Sequence, residues 1–194
     1  MSSGYEGNDS HPHETSLSDI LKANCGESVL KCYQCGKCSA GCPLASEMDI
    51  APSMLIRKIQ TRLKVHEDSV LSSYAIWLCL TCETCVSRCP KEVDLPKIMD
   101  FLREESLKRN MVNPKAKDIL AFHNSFLESV KYTGRLYEVG MVGAYKLRTW
   151  HFLQDLLVAP KLFLKGKLGL LPHLIKGNLK IRNLFDRITG KKED

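Results

Sequence analysis

The 194-residue sequence has no apolar run approaching the roughly 18 residues that a membrane-spanning helix needs. SYAIWLCL is too short, and LFLKGKLGLL is broken by lysine. The first residues, MSSGYEGNDSHPHE, are polar and carry no apolar signal core. No G-x-G-x-x-G or phosphate-binding loop occurs, so flavin and nicotinamide have no evident seat. No serine or cysteine stands in a nucleophile signature. His66, His123, His151 and His173 are scattered and read as surface or packing residues, while His11 and His13 sit in a Ser/Gly/Asn-rich end and read as solvated. Strand signals are few and no βαβ alternation appears, which excludes a Rossmann-type nucleotide domain and leaves all-α as the expected fold class. These absences together imply a protein with no transmembrane segment and no substrate site of its own.

Helical spacing organises what is there. Thr15 or Ser16 suits an N-cap for a helix carrying Leu17, Ile20 and Leu21 on one face. Pro52 fits a first helical turn, followed by Leu55, Ile56, Ile59 and Leu63. DSVLSSYAIWL predicts a short helix from Asp68 to about Leu78. Asp94 and Pro96 begin another, with Ile98, Met99, Leu102 and Leu107 as its stripe. Asn113-Pro114 repeats the cap-plus-proline signal before Ile119, Phe122, Phe126 and Val130, a stripe read as packing, and Gly134 is the expected stop. A weaker helical stretch follows, interrupted by Gly140 and Gly143. The organisation expected is a loose tail over 1–14, a helical domain over 15–110, and over 111–194 a helical extension ending in a helical or extended basic arm, from about Pro160, that needs a partner to lie against. Charge follows the same division. The net charge is +6, yet residues 115–194 hold 15 Lys+Arg and 7 Asp+Glu, so the basic excess lies wholly in that part.

Nine cysteines are many for such a chain, and eight fall in two tight sets. A secreted disulfide framework would show scattered spacings, an even count and an export signal, so the reducing cytoplasm is the expected compartment. CYQCGKCSAGCP begins at Cys32 and CLTCETCVSRCP at Cys79, each reading C-x-x-C-x-x-C-x-x-x-C-P. Cys32, Cys35, Cys38 and Cys42 map onto Cys79, Cys82, Cys85 and Cys89 by one constant offset. Three thiolates spaced by two residues curl around a [4Fe–4S] cubane and take three of its irons, while inward-turned backbone N–H groups offset the sulfur charge. In two-cluster ferredoxins the fourth cysteine, before proline, ligates the other cluster. The expected sets are therefore Cys32, Cys35, Cys38 and Cys89 for one cluster, and Cys79, Cys82, Cys85 and Cys42 for the second. Zinc sites use two separated pairs rather than a run of three plus one. A zinc-stabilised module whose basic arm binds nucleic acid is the rival from another class. Cys25 stands apart and reads as a partly buried free thiol. Lys31, Lys37, Arg88 and Lys91 flank the ligands, either favouring reduced clusters or serving as ordinary surface charges.

The two motifs CYQCGKCSAGCP and WLCLTCETCVSRCP, the helix-forming spacer between them and the ending KGKLGLLPHLIKG resemble the iron–sulfur C component of the heterodisulfide reductases of methanogenic archaea, over roughly residues 15 to 180. The cysteine sets alone are shared with iron–sulfur subunits of quinone-linked dehydrogenases acting on succinate, glycerol-3-phosphate or glycolate, which is the alternative reading. The resemblance implies an alpha-helical ferredoxin-like domain over 15–110, in an electron-transfer subunit with two [4Fe–4S] clusters. It would stand between a flavin-bearing, iron–sulfur A component and a catalytic B component that reduces the mixed disulfide of coenzymes M and B. The resemblance also implies a larger assembly with a hydrogenase or formate dehydrogenase, and no nucleic acid. The functional residues it carries over are the eight cysteines.

Overall fold

The computed structural model describes residues 16–150, 175 and 177–188. Among these every regular element is helical, as the all-α expectation requires. The tail over 1–14 and most of the arm from about Pro160 lie outside the described residues. The chain divides into two compact units, one ending at Pro114 and the other beginning at Lys115.

The first unit holds α1 (Leu17–Cys25), a 3-10 turn (Val29–Lys31), α2 (Lys37–Ala40), α3 (Pro52–Gln60), α4 (Lys64–Leu71), α5 (Ala75–Leu78), α6 (Thr84–Ser87) and α7 (Leu95–Lys108). Ser16 caps α1 by accepting the Asp19 N–H, and Asp94 caps α7 by accepting that of Lys97 at 3.0 Å. Leu17 and Leu21 of α1, Leu55, Ile56 and Ile59 of α3, and Ile98, Met99 and Leu102 of α7 are at most 1% exposed and form one core with Val70, Leu71 and Ile76. Glu67, buried to 4%, accepts the backbone N–H of Leu17 at 2.9 Å, so a carboxylate sits at the positive end of α1.

Three expectations need correction here. The helix over 68–78 is two helices, because the Asp49 carboxylate reaches across 25 residues of chain. It accepts the N–H groups of Tyr74 and Ala75, each at 2.8 Å, and starts α5 afresh. Leu63 lies beyond the end of α3, after Arg62 turns to φ 56°, and is 53% exposed. Leu107 is 48% exposed, because the buried face of α7 runs from Leu102 to Ser106, one turn on, and leaves Leu107 beside it.

The second unit contains α8 (Lys117–Thr133), α9 (Glu138–Thr149) and α10 (Asn178–Ile188). The N-cap of α8 is Ala116 rather than Asn113, whose amide donates to the Ser72 carbonyl at 2.8 Å, and a 3-10 turn, Pro114–Ala116, precedes the helix. Gly134 ends α8 at φ 78° as expected. The aromatic stripe is not the packed face, however, for Phe122 and Phe126 remain 45% and 38% exposed. The buried residues of α8 are Ser125 and Thr133. Ser125 Oγ accepts from Arg148 of α9 at 2.6 Å, and Ser129 Oγ accepts the Tyr137 N–H at 2.8 Å. The seam thus runs along small residues four apart, which let α9 and the turn before it approach closely. Lys131 and Asp186 pair at 2.5 Å, tying α10 to α8.

Candidate metal centre

Each cysteine set begins as a short helical element ends. Cys32 follows the 3-10 turn and Cys79 follows α5, both in extended conformation (ψ 121° and 120°). Two residues on, Gln34 and Thr81 adopt positive φ (65° and 51°), and two further on Gly36 and Glu83 do the same (75° and 59°). These left-handed turns point backbone N–H groups inward. The Gln34 N–H lies 3.4 Å from Cys32 Sγ, and its side-chain amide lies 3.5 Å from the same sulfur. Each loop then closes into a one-turn helix, α2 or α6. Ser39 and Val86 donate to the Gly36 and Glu83 carbonyls, and Cys42 and Cys89 donate to those of Ser39 and Val86. The constant offset in the sequence is therefore a repeat of the backbone itself.

The repeat extends into residues whose sequence does not show it. Gln60, the last residue of α3, donates through Nε2 to the carbonyls of Val29 and Cys32 at 2.8 and 2.7 Å. Arg103 of α7 donates through Nε and Nη2 to the carbonyls of Ile76 and Cys79 at 2.6 and 2.5 Å. Val29 and Cys32 map onto Ile76 and Cys79 by the same offset as the thiols. The two halves also meet at matched positions. Gly41, which precedes Cys42, lies so near Arg88, which precedes Cys89, that a Cβ at 41 would fall 2.6 Å from the arginine side chain.

All eight motif cysteines are free thiols. Cys35 and Cys82 are exposed and the other six are half-buried. Burial pushes the Cys38 and Cys79 thiols up in pKa, and pushes Cys85 up to about 11 with a further contribution from the neighbouring Cys79. The Lys37 amide lowers that of Cys35, and the Thr84 hydroxyl lowers that of Cys82. Cys42 is among the charges felt by Cys79, and Cys89 is among those felt by Tyr33, beside Cys35 and Cys32. A single cavity is lined by Cys42, Cys79, Cys82 and Cys85, with Cys38 also on its wall and Pro96 and Met99 as apolar cover. Among the described residues no three Cys, His, Asp or Glu side chains close on one point as ligands of a single ion.

Such a donor set suits a cubane: thiols three to a loop with a fourth before proline, amides aimed at sulfur, and apolar cover. A family model for the 4Fe-4S dicluster domain matches residues 28–93. Over those residues, which hold both cysteine sets, the chain is similar to 4Fe-4S dicluster domains. Over 106 residues the chain is 33% identical to the C component of the H2:CoB-CoM heterodisulfide,ferredoxin reductase of Methanothermobacter thermautotrophicus, covering 55% of this chain and 56% of that one. It is 40% identical over 88 residues to the C2 component of the H2/formate:CoB-CoM heterodisulfide,ferredoxin reductase of Methanococcus maripaludis, covering 45% and 46%. The C component of the ferredoxin:CoB-CoM heterodisulfide reductase of Methanosarcina mazei is 31% identical over 103 residues, covering 53% and 61%. The resemblance to the heterodisulfide reductase C component is borne out across this region, and with it two [4Fe–4S] clusters as the cofactors. The chain spans about half the length of the curated relatives it matches.

Elsewhere the remaining candidates take structural places. Cys25 is half-buried and donates to the Leu21 carbonyl at 2.9 Å. His66 Nδ1 lies 2.8 Å from Thr61 Oγ1, and the His123 ring tilts against that of Phe122. His11, His13, His151 and His173 lie outside the described residues. Gln60, Arg103 and Asp49 carry no motif in the sequence, since their partners lie 24 to 31 residues away. No described helix is long and apolar enough to cross a membrane.

Proposed function

We propose that this chain is the electron-transfer subunit of a cytoplasmic heterodisulfide reductase complex, receiving electrons from a flavin-bearing A component and passing them to a catalytic B component. The catalytic component reduces the coenzyme M–coenzyme B disulfide, and a hydrogenase or formate dehydrogenase stands upstream. The reading rests on one observation: two matching four-cysteine cradles share a helical body, and its relatives are reductase C components. Bound clusters supply one-electron storage and exchange, with no proton or substrate chemistry. The chain's own part is to hold and insulate them. Cys32, Cys35, Cys38 and Cys89 form one ligand set, and Cys79, Cys82, Cys85 and Cys42 the other. Support for that crossing comes from Cys42 facing all three of Cys79, Cys82 and Cys85 across one cavity, where Cys38 is the only other thiol of its own loop, and from the nearness of Cys89 to the first loop.

Residues 15–110 serve as the cluster domain and 111–194 as the partner-binding extension, a division supported by the compact units that meet at Pro114 and Lys115. Exposed Leu30, Tyr33 and Met54, around an open hollow beside Cys32, give a partner apolar access to the first cradle.

Affinity purification under strict anaerobiosis tests the proposal. About eight irons and eight sulfides per chain, co-purifying with a flavoprotein and a disulfide-reducing polypeptide, is the expected result. Recovery with a quinone-linked dehydrogenase would overturn the assigned partners. Colourless protein holding two zinc ions would overturn the relay itself.

A further inference from the structure

The two cradles differ at the clamp on their first cysteine. Gln60 holds the Val29 and Cys32 carbonyls with a neutral amide, whereas Arg103 holds the equivalent Ile76 and Cys79 carbonyls with a guanidinium. An arginine stays charged throughout the working pH range. Its side chain is 18% exposed, and its Asp100 partner, at 2.9 Å, is 63% exposed, so water screens the carboxylate far more than the guanidinium. Lys37 and Arg88, near the cradles, are exposed residues whose fields are likewise screened.

The geometry points to Arg103 as a positioning residue that makes the cluster held by Cys79, Cys82 and Cys85 the easier of the two to reduce. This inference rests on the proposed relay function. The physical cause is a fixed cation beside a centre that gains negative charge on reduction, in a partly buried setting where Coulomb terms are large. When one electron is shared between the two centres, the Cys32–Cys35–Cys38 side gives it up and is oxidised. The Cys79–Cys82–Cys85 side takes it and is reduced, with no proton transferred. Cys32 and Cys79 belong to different clusters whether or not the fourth ligands cross, so the direction does not depend on the crossing.

The test is a redox titration of the anaerobically purified full-length chain, followed by electron paramagnetic resonance. Cys82→Ser, which replaces a ligand, marks the signal of the second centre, and that signal is expected to develop first in the unaltered protein. Arg103→Gln, which copies the neutral clamp of the twin cradle, is expected to lower the reduced-to-oxidised ratio of that centre about tenfold at fixed potential, about 59 mV for one electron. Its neighbour should stay in place. Arg103→Lys should restore most of the shift. Asp100→Asn removes the opposing, more strongly screened charge and should move the same centre the opposite way by a smaller amount, which a merely loosened fold would not do. It also decides the matter if Arg103→Gln loses iron. Equal shifts in both centres, no shift with full iron content, or first development of the other signal would overturn the inference. An unaltered chain with fewer than about eight irons would instead sink the proposed function.

Discussion

Crossed ligation makes a prediction in whole atoms. Cys42 lies ten residues before α3, yet it lines a cavity with Cys79, Cys82 and Cys85. If its thiolate belongs to that set, Cys42→Ala strips the second cluster and leaves about four of about eight irons. Combining it with a second change in the same set then costs nothing more, so Cys42→Ala with Cys79→Ala also retains about four. Combining it with Cys32→Ala removes a ligand from each cluster and leaves close to none. Ligation within each sequence motif predicts the reverse: about four irons for Cys42→Ala with Cys32→Ala, and close to none with Cys79→Ala. Non-additivity of this kind identifies shared membership without assigning either centre spectroscopically. Iron and sulfide analysis with Mössbauer spectra on anaerobic protein supplies the counts. A Cys42/Cys32 double variant that keeps a full cubane refutes the crossing. A single variant that keeps about seven irons, as a three-iron remnant would, is resolved by the same double variants.

Three further perturbations follow from the packing. Asp49→Ala removes two N–H acceptors from the start of α5, costing about 1–2 kcal/mol. That should speed iron release to a chelator roughly five- to thirtyfold. Leu102→Ala, at a fully buried site of α7, should destabilise the chain by about 2–5 kcal/mol, whereas Leu107→Ala, 48% exposed, should stay within about 0.5 kcal/mol in denaturant midpoint. Lys131→Met breaks its pair with Asp186, whose side chains are 20% and 13% exposed. Amide exchange across Asn178–Ile188 should then accelerate, reflecting a loss of about 1–3 kcal/mol.

The cofactor was legible because thiol spacing is a local demand of the cubane, met within eleven residues twice over. Ser16, Asp94 and Gly134 were legible for the same reason, since a cap or a left-handed stop acts within its own helix turn. Long-range partners were not legible. Nothing in DSVLSSYAIWL marks the break between α4 and α5, because the carboxylate that restarts the chain belongs to Asp49. In α8 the aromatic spacing suggested a core face, but a hydroxyl seam at Ser125, Ser129 and Thr133 gave the closer approach and left Phe122 and Phe126 part-exposed. The larger repeat was hidden because Gln60 and Arg103 do the same work with different side chains and stand at a different offset from the thiols.

That hidden repeat also exposes a cost carried by one half only. Gly36 and Glu83 occupy matched positions at φ 75° and 59°, and both start the one-turn helix that brings the third cysteine round. Glycine adopts this region freely, while a residue with a Cβ spends roughly 1–2 kcal/mol there. Glu83→Gly removes that strain but adds roughly 0.5–1 kcal/mol of chain entropy lost on folding. The net expectation is a second cradle more stable by about 0.5–1 kcal/mol. Gly36→Ala inverts the balance and should destabilise the first cradle by a similar amount, although the site has open space for a methyl group. The readout is the rate at which each cluster bleaches under mild denaturant, with the unchanged cradle as internal control. Slower bleaching of the second centre in Glu83→Gly, paired with faster bleaching of the first in Gly36→Ala, supports left-handed backbone as the device that turns amides toward sulfur. Faster bleaching in Glu83→Gly would show instead that the glutamate side chain holds the loop, and the backbone account of the repeat would fail at that position.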